Sequence, residues 1–461
     1  MSLPPDALAA LTAALGAEQI RLGDAVPARN RADSAGMPPC APAALLLPRN
    51  TGEVSAALAI CHRLSLPVVV QGGLTGLAGG AHPVEGEIAL SLERMTGIEE
   101  LDPVGRTMTA LAGTPLEAIQ QRAAEAGLLY GVDLGARGSC TIGGNVATNA
   151  GGVQVLRYGM TRRNVLGLEA VLPDGRIVSS LVKVIKNNAG YDWTQLLIGS
   201  EGTLGIVTRV LLALHPAVPS HHTALCSVAG VAEALQVLDR LEAKLPGGLL
   251  AFEAMWRDYL AAAKTHAALP PPFTSGPALT LLVEAALPAG EAYADLFLEA
   301  LGALAEEGLL DDVLVAQSSR ERARFWSYRE ASSEFYRHLS TGLHFDISVP
   351  LAAMAQGVDL LHARIAQSRP DATLILFGHL ADSNLHLSIH PPEGAGFEGL
   401  AELVYGTVRD VEGSISAEHG VGVLKRPYLG YSRSDSELAL MRTLKCALDP
   451  AGILNRGRIL A

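Results

Sequence analysis

Three glycine-rich stretches in the first half of the chain restrict what it can fold into more than any other feature. The first, Val68-Val-Val-Gln-Gly-Gly-Leu-Thr-Gly-Leu-Ala-Gly-Gly80, leads from an apolar strand directly into a loop. The second is Gly138-Ser-Cys-Thr-Ile-Gly-Gly-Asn-Val-Ala-Thr-Asn-Ala-Gly-Gly152, and the third is Ile198-Gly-Ser-Glu-Gly-Thr-Leu-Gly-Ile-Val207. Glycine accepts positive φ and lets backbone N–H groups come close to a phosphate. The first stretch contains neither G-x-G-x-x-G nor G-K-[ST], so the Rossmann and Walker readings both fail. One cluster alone would read as a tight turn between strands. Three clusters interleaved with Ser, Thr and Asn read as backbone wrapped around a long ligand that carries a pyrophosphate.

The rest of the chain has to bury that scaffold. At 461 residues it exceeds one ordinary hydrophobic core, so two domains are expected. Short apolar runs alternate with helical patterns in the first half. Strands are expected at 43–48, 66–70, 87–92, 107–111, 166–172 and 205–214. Helices are expected at 51–64, entered through Thr51, and at 115–126, with Pro115 at its first position. The prolines of His215-Pro-Ala-Val-Pro-Ser-His-His222 mark a boundary, after which strand–helix units follow at 223–254 and 279–307. A long helix is expected at 321–339, a strand at 345–349 and a final helix at 437–448. The division is therefore 1–216, 217–411 and a C-terminal segment 412–461.

Composition excludes several classes. Lys and Arg total 35 against 47 Asp and Glu, a net charge of −12, which argues against nucleic-acid or anionic-membrane binding. The five cysteines lack C-x-x-C spacing, so neither a disulfide framework nor a thiolate metal site is expected, and a reducing compartment such as the cytoplasm fits. The N-terminus has no basic region of the signal-peptide kind, and no apolar run is long enough to span a bilayer.

The second half holds a histidine–carboxylate constellation. Phe377-Gly-His-Leu-Ala-Asp-Ser-Asn-Leu-His-Leu387 reads as a hairpin. With Ala381–Asn384 as the loop, His379 falls directly opposite His386, and both imidazoles can reach one ion. The alternative is two satisfied histidines in a sheet. Gly413-Ser-Ile-Ser-Ala-Glu-His-Gly-Val-Gly422 adds Glu418 and His419, expected in the first turn of a helix capped by Ser416. A carboxylate beside an imidazole can supply a third ligand and a general base, which leaves coordination positions open for a substrate.

The glycine clusters, together with Arg157-Tyr-Gly159, Lys186-Asn-Asn-Ala-Gly-Tyr-Asp192 and Gly199–Thr208, resemble in order the FAD-binding domain of the vanillyl-alcohol-oxidase type. The resemblance covers nearly the whole chain. It implies an α+β fold: a two-subdomain FAD-binding domain, an antiparallel-sheet α+β cap domain that takes the substrate, and a C-terminal helical segment. It implies cofactor contacts from Gly72, Gly73, Leu74, Thr75, Gly76, Gly79, Ser139, Gly143, Gly144, Asn145, Glu201, Gly202, Gly205, Ile206 and Asn455. The loop offers no His or Tyr for covalent attachment, and His82 just beyond it reads as a solvated loop histidine. FAD is therefore expected to be non-covalent.

The histidine stretches are similar to those of the metal-dependent D-2-hydroxyacid dehydrogenases of the same superfamily. That similarity implies His379, His386 and Glu418 as metal ligands and His419 as the base. Zn2+ is the first expectation, with Mn2+ or Fe2+ as alternatives. Trp326-Ser-Tyr-Arg-Glu330 resembles the segment whose Arg holds a substrate carboxylate, which implies Arg329. Asn384 is implied beside Arg329 on the substrate carboxylate, and Ser333 and His344 fall at further substrate positions. In the D-2-hydroxyglutarate-oxidising members, Ser333 and His344 are replaced by Thr and Lys. His for Lys removes a permanent cation. The implied reaction is hydride transfer from a D-2-hydroxy acid, first D-2-hydroxyglutarate to 2-oxoglutarate, to flavin N5. D-lactate or glycolate is the alternative substrate, and a transferase of the same fold the alternative class. An electron-transfer flavoprotein or a quinone is the expected acceptor, and a homodimer is allowed.

Overall fold

The computed structural model describes residues 3–334, 339 and 342–460. Two compact units divide it. The first comprises Met1–Gly152, Tyr158–Ala217 and Glu418–Ala461; the second comprises Val153–Arg157 and Val218–Ala417.

Two sheets and a small strand pair build the first unit. In one sheet, β1 (Ile20–Arg21), β2 (Ala44–Leu46), β4 (Ile88–Ser91) and β3 (Val68–Gln71) lie in that order, with β4 parallel to both β2 and β3. The short strands β2, β3 and β4 are Ala-, Val-, Ile- and Leu-rich and almost wholly buried, as expected for parallel strands covered on both faces. Helix Thr51–Arg63 packs its Val54, Ala57 and Leu58 into the same core. Its cap is Asn50, not Thr51: the Asn50 side chain accepts from the Glu53 N–H at 3.0 Å. Helix Leu116–Glu125 similarly starts one residue after Pro115, which is its N-cap.

The second sheet is antiparallel, in the order β5 (Ile98–Asp102), β6 (Thr107–Leu111), β10 (Ile206–Ala213), β8 (Val165–Val171), β9 (Ile177–Ser180). Helices Leu116–Glu125 and Ile142–Thr148 cover its core through Leu116, Ile119, Ile142 and Val146. β7 (Leu128–Leu129) pairs with β11 (His215–Pro216).

The second unit has one antiparallel seven-stranded sheet: β15 (Asp312–Val315), β12 (Ser220–Val228), β14 (Leu279–Leu287), β13 (Leu249–Trp256), β17 (Thr373–His379), β18 (Asn384–His390), β16 (Leu343–Ser348). All nine residues of β14 are buried, Glu284 among them. Helix Ser319–Glu330 is capped by Ser318, and helical residues continue through 334. The expected extension of that helix over 335–338 lies outside the described residues.

Among the described residues no helix is long and apolar enough to cross a membrane. The mixed α+β architecture expected from the sequence is present.

Candidate active site

Strand pairing in the second unit gathers the histidines. The hairpin differs in register from the expected one: Phe377, not His379, lies opposite His386. A 3-10 turn over Leu380–Asp382, closed by Ser383 at φ 72°, starts the loop one residue earlier. Both strands shift together, so parity is kept and His379 and His386 remain on one face as diagonal neighbours. Their ring centroids are 5.2 Å apart and nearly perpendicular.

Each imidazole turns its Nδ1 toward a buried carboxylate. His379 Nδ1 is 2.7 Å from Glu253 Oε1, and His386 Nδ1 is 3.6 Å from Asp346 Oδ1. A carboxylate facing Nδ1 favours the tautomer whose Nε2 carries the lone pair a metal requires. Glu253 also receives Arg329, whose Nε donates to Oε2 at 2.5 Å. Arg329 Nη2 is 3.4 Å from His379 Nε2, and the guanidinium lies 4.7 Å over the Phe377 ring. Burial pushes the Glu253 carboxyl up, but its pairing with His379 and Arg329 outweighs this and holds it below the usual range. Neither Glu253 nor Asp346 was singled out in the sequence. Glu253 lies in an apolar strand whose only signal was one charged residue among buried neighbours.

Helix Ser319–Glu330 carries Arg329 and is fixed from a second strand. Glu284 on β14 accepts from Arg322 Nε at 2.8 Å and Nη2 at 2.6 Å, from Trp326 Nε1 at 2.7 Å, and from Thr223 Oγ1 at 2.7 Å. Burial alone would raise Glu284; hydrogen bonds from His221, Arg322, Trp326 and Thr223 override it and bring the pKa down to about 2.

The remaining substrate candidates are placed unevenly. Asn384 is buried; its Nδ2 donates to Asp346 Oδ1 at 2.9 Å and to the Ile347 carbonyl at 3.1 Å. Its Oδ1 has no hydrogen-bond partner among the described residues. Both amide protons are thus committed, and the remaining atom is an acceptor, suited to a hydroxyl rather than a carboxylate. His344 is exposed on β16, edge-on to His390 with centroids 5.9 Å apart. Ser333 is also exposed, and its Oγ donates to the Glu330 carbonyl at 2.9 Å.

Glu418 and His419 belong to the first unit, immediately after Ala417. The expected helical turn after Ser416 is absent: residues 417–419 form bends, and Gly420 and Gly422 take φ of 78° and 52°. Glu418 Oε1 accepts the Gly152 N–H at 2.5 Å. Ala417 N donates to Asp346 Oδ2 at 3.1 Å within the second unit.

In the first unit the first two glycine clusters pack against each other. A Cβ on Gly73 would lie 2.2 Å from the Ser139 carbonyl oxygen, and one on Gly72 2.7 Å from Thr141 Oγ1. Leu74, Asn149, Glu201 and Asn455 all hold positive φ, backbone strain concentrated in and beside these loops. A Cβ on Gly76 would meet open space, and the buried Asn145 Nδ2 has no hydrogen-bond partner among the described residues. A buried donor without a protein partner, in a glycine cluster packed against the first loop, fits a polar ligand such as the FAD pyrophosphate or ring edge. Thr75 lies in the first loop and Ser139 abuts Gly73; Gly79 and Gly202 hold φ of 76° and 70°, and Gly144 N–H donates to Thr141 Oγ1. Other expected contact residues also make contacts within the protein. Gly143 packs on Ala112, and Gly205 and Ile206 pack against Val171 and its neighbours. Glu201 accepts from the Val421 and Gly422 N–H groups, and Asn455 joins Val70 N–H to the Glu201 carbonyl. His82 is not solvated. It is 3% exposed, because Arg458 draws its carbonyl inward and Asp33 lies 4.0 Å from Nδ1.

Residues 219–459 match the model for FAD linked oxidases, C-terminal domain, and residues 42–180 match an FAD binding domain. The chain belongs to the FAD-linked oxidase family. It is an FAD-dependent oxidoreductase. Curated relatives of this family member include D-2-hydroxyglutarate dehydrogenase of Xanthomonas citri pv. viticola, 38% identical over 91% of this chain and 89% of the relative. The mitochondrial D-2-hydroxyglutarate dehydrogenase of Bos taurus is 40% identical over 90% of this chain and 76% of its own. Among solved structures, p-cresol methylhydroxylase with substrate bound matches with a TM-score of 0.77 over 98% of this chain and 96% of its own, at 14% identity. Alkyldihydroxyacetonephosphate synthase matches with a TM-score of 0.74 over 99% and 85%, at 16% identity. At such identities these two show the shared fold of this FAD-linked oxidase and nothing of its substrate.

Proposed function

We propose that this FAD-linked oxidase family member dehydrogenates a D-2-hydroxy acid, first D-2-hydroxyglutarate to 2-oxoglutarate, with help from a divalent metal. The observation that carries the proposal is the pair of imidazoles backed by buried carboxylates beside the buried Arg329. The relatives' names supply the substrate.

Bound FAD supplies a hydride acceptor at N5. A divalent cation, Zn2+ or else Mn2+ or Fe2+, would be held by His379, His386 and Glu418 and would polarise the 2-hydroxyl. Glu418 follows directly on Ala417, which Asp346 anchors, and Asp346 also faces His386. Arg329 pairs with the substrate carboxylate and fixes which face of C2 is presented. Asn384 Oδ1 accepts a hydrogen bond from a substrate hydroxyl. His419 takes the hydroxyl proton. An electron-transfer flavoprotein or a quinone reoxidises the reduced enzyme.

A smaller acid such as D-lactate or glycolate is the second reading, favoured by one observation: His344 stands exposed beside His390 where a permanent cation would suit a second carboxylate. The test of both is anaerobic flavin bleaching by a panel of D- and L-2-hydroxy acids, with and without chelator. Bleaching by D-2-hydroxyglutarate at least as fast as by D-lactate, lost on metal removal, is the expected result. Preference for D-lactate selects the second reading. No bleaching by any member sinks both and leaves the transferase class.

A further inference from the structure

We infer that Glu253 is a positioning residue that sets the tautomer of His379 and the aim of Arg329 at the same time. The inference rests on the metal and carboxylate roles proposed above for those two residues. Glu253 lies on β13 directly across from His379 on β17, so the contact is imposed by strand register rather than by a chance rotamer. Its side chain is 1% exposed. Each carboxylate oxygen serves one partner: Oε1 faces His379 Nδ1 at 2.7 Å, and Oε2 accepts from Arg329 Nε at 2.5 Å.

An ionised carboxylate can only accept. Nδ1 of His379 must therefore carry its proton, and the lone pair stays on Nε2, which Arg329 Nη2 faces at 3.4 Å and which a metal would take up. On the other side, Glu253 Oε2 takes the Nε of Arg329. The guanidinium lies 4.7 Å over the Phe377 ring, and its Nη1/Nη2 end is left directed past the carboxylate, with Nη2 3.4 Å from His379 Nε2. The neighbouring buried carboxylate, Glu284, is taken up by Arg322 and Trp326 and does not compete for Arg329. One side chain thus ties a metal ligand to a substrate anchor.

Substitution by glutamine makes the inference testable, because an amide has one acceptor and one donor end. If the amide oxygen faces His379, the NH2 meets the Arg329 N–H donor. If the oxygen faces Arg329, the NH2 forces the wrong tautomer on His379. Glu253→Gln therefore serves one partner at the other's expense, while Glu253→Asp keeps the charge and loses only reach.

The experiment compares FAD-loaded wild type, Glu253→Gln, Glu253→Asp and His379→Ala. Zn2+ affinity is measured by chelator competition and KM for D-2-hydroxyglutarate by steady-state rates, alongside FAD content and the thermal midpoint. With FAD content held, Glu253→Gln is expected to lose about 10- to 100-fold in Zn2+ affinity, to raise KM, or both, and Glu253→Asp to recover part of the loss. Wild-type Zn2+ affinity and KM in Glu253→Gln, with His379→Ala losing Zn2+, would overturn the inference alone. Wild-type Zn2+ affinity in His379→Ala would remove the metal reading and the inference with it. If Glu253→Gln does not accumulate as folded protein, Glu253→Asp carries the test, and wild-type values there overturn the inference.

Discussion

At the residue scale, the chemistry turns on which nitrogen of each imidazole carries its proton. His379 and His386 both direct Nδ1 to a buried acid, an arrangement that would organise the proposed ligand pair in advance of an ion. His419 has a different role in the proposal, that of proton acceptor. Replacing it with Asn keeps a polar side chain of similar size but removes the basic nitrogen. His419→Asn is expected to slow flavin reduction by about 10²- to 10⁴-fold while retaining FAD, as followed by stopped-flow bleaching and bound-flavin absorbance. Near-normal bleaching would rule out His419 as the base. Residue types were legible in the sequence because imidazoles and Arg in an apolar context are costly to keep without a purpose. Their partners were not. Glu253 and Asp346 act through strands remote in sequence, and Asn384 turned out to offer an acceptor only after its amide protons were traced to Asp346 and Ile347.

At the element scale, two neighbouring strands clamp one helix. Glu284 on β14 holds Arg322 and Trp326, and Glu253 on β13 holds Arg329, all on helix Ser319–Glu330. A carboxyl lowered from 4.5 to about 2 stabilises the folded state fully above pH 4.5 and loses that stabilisation as pH falls toward 2. The shift corresponds to about 3 kcal/mol. Glu284→Gln is therefore expected to lower stability at pH 7 by on the order of 3 kcal/mol and to flatten the acid-unfolding profile between pH 4.5 and about 2, as read by urea unfolding across pH. An unchanged profile would show that Glu284 carries no such linkage. The glycine loop gives a second test. A methyl group on Gly73 would lie 2.2 Å from the Ser139 carbonyl oxygen, closer than any real contact. Gly73→Ala is expected to separate the first two clusters and release FAD, measured as flavin fluorescence appearing in the ultrafiltrate, whereas Gly76→Ala, facing open space, tests the ligand side directly.

At the scale of the whole molecule, the chain's path matters more than its length. The first unit is assembled from three separated segments, the last of which arrives only after residue 417. That segment extends the β1–β4 sheet: Leu454 bridges parallel to Val68, and Asn455 Oδ1 accepts the Val70 N–H at 2.9 Å. Arg458, 2% exposed, pairs with the equally buried Glu87. Removing one member of a buried pair costs about 3–5 kcal/mol. Arg458→Ala is expected to lose roughly that much stability in denaturant unfolding of the FAD-loaded protein. A loss below about 1 kcal/mol would mean the pair is dispensable, as surface pairs are.

The sequence by itself determined the local features. Glycine loops need backbone freedom at particular positions, strands such as Thr107–Leu111 declare themselves by composition, and the last helix, expected at 437–448, is present over Asp435–Leu448. The kinds of side chain that do chemistry were visible for the same reason. Tertiary structure alone decided register, partnership and burial. It moved His386 opposite Phe377 while keeping it on the face of His379, replaced the expected turn at Glu418 with bends, and buried His82. It also brought Glu253 to His379 across 126 positions of chain. Such contacts are set by which strands pair and by which charges must be neutralised away from water, and neither is a property of any local stretch.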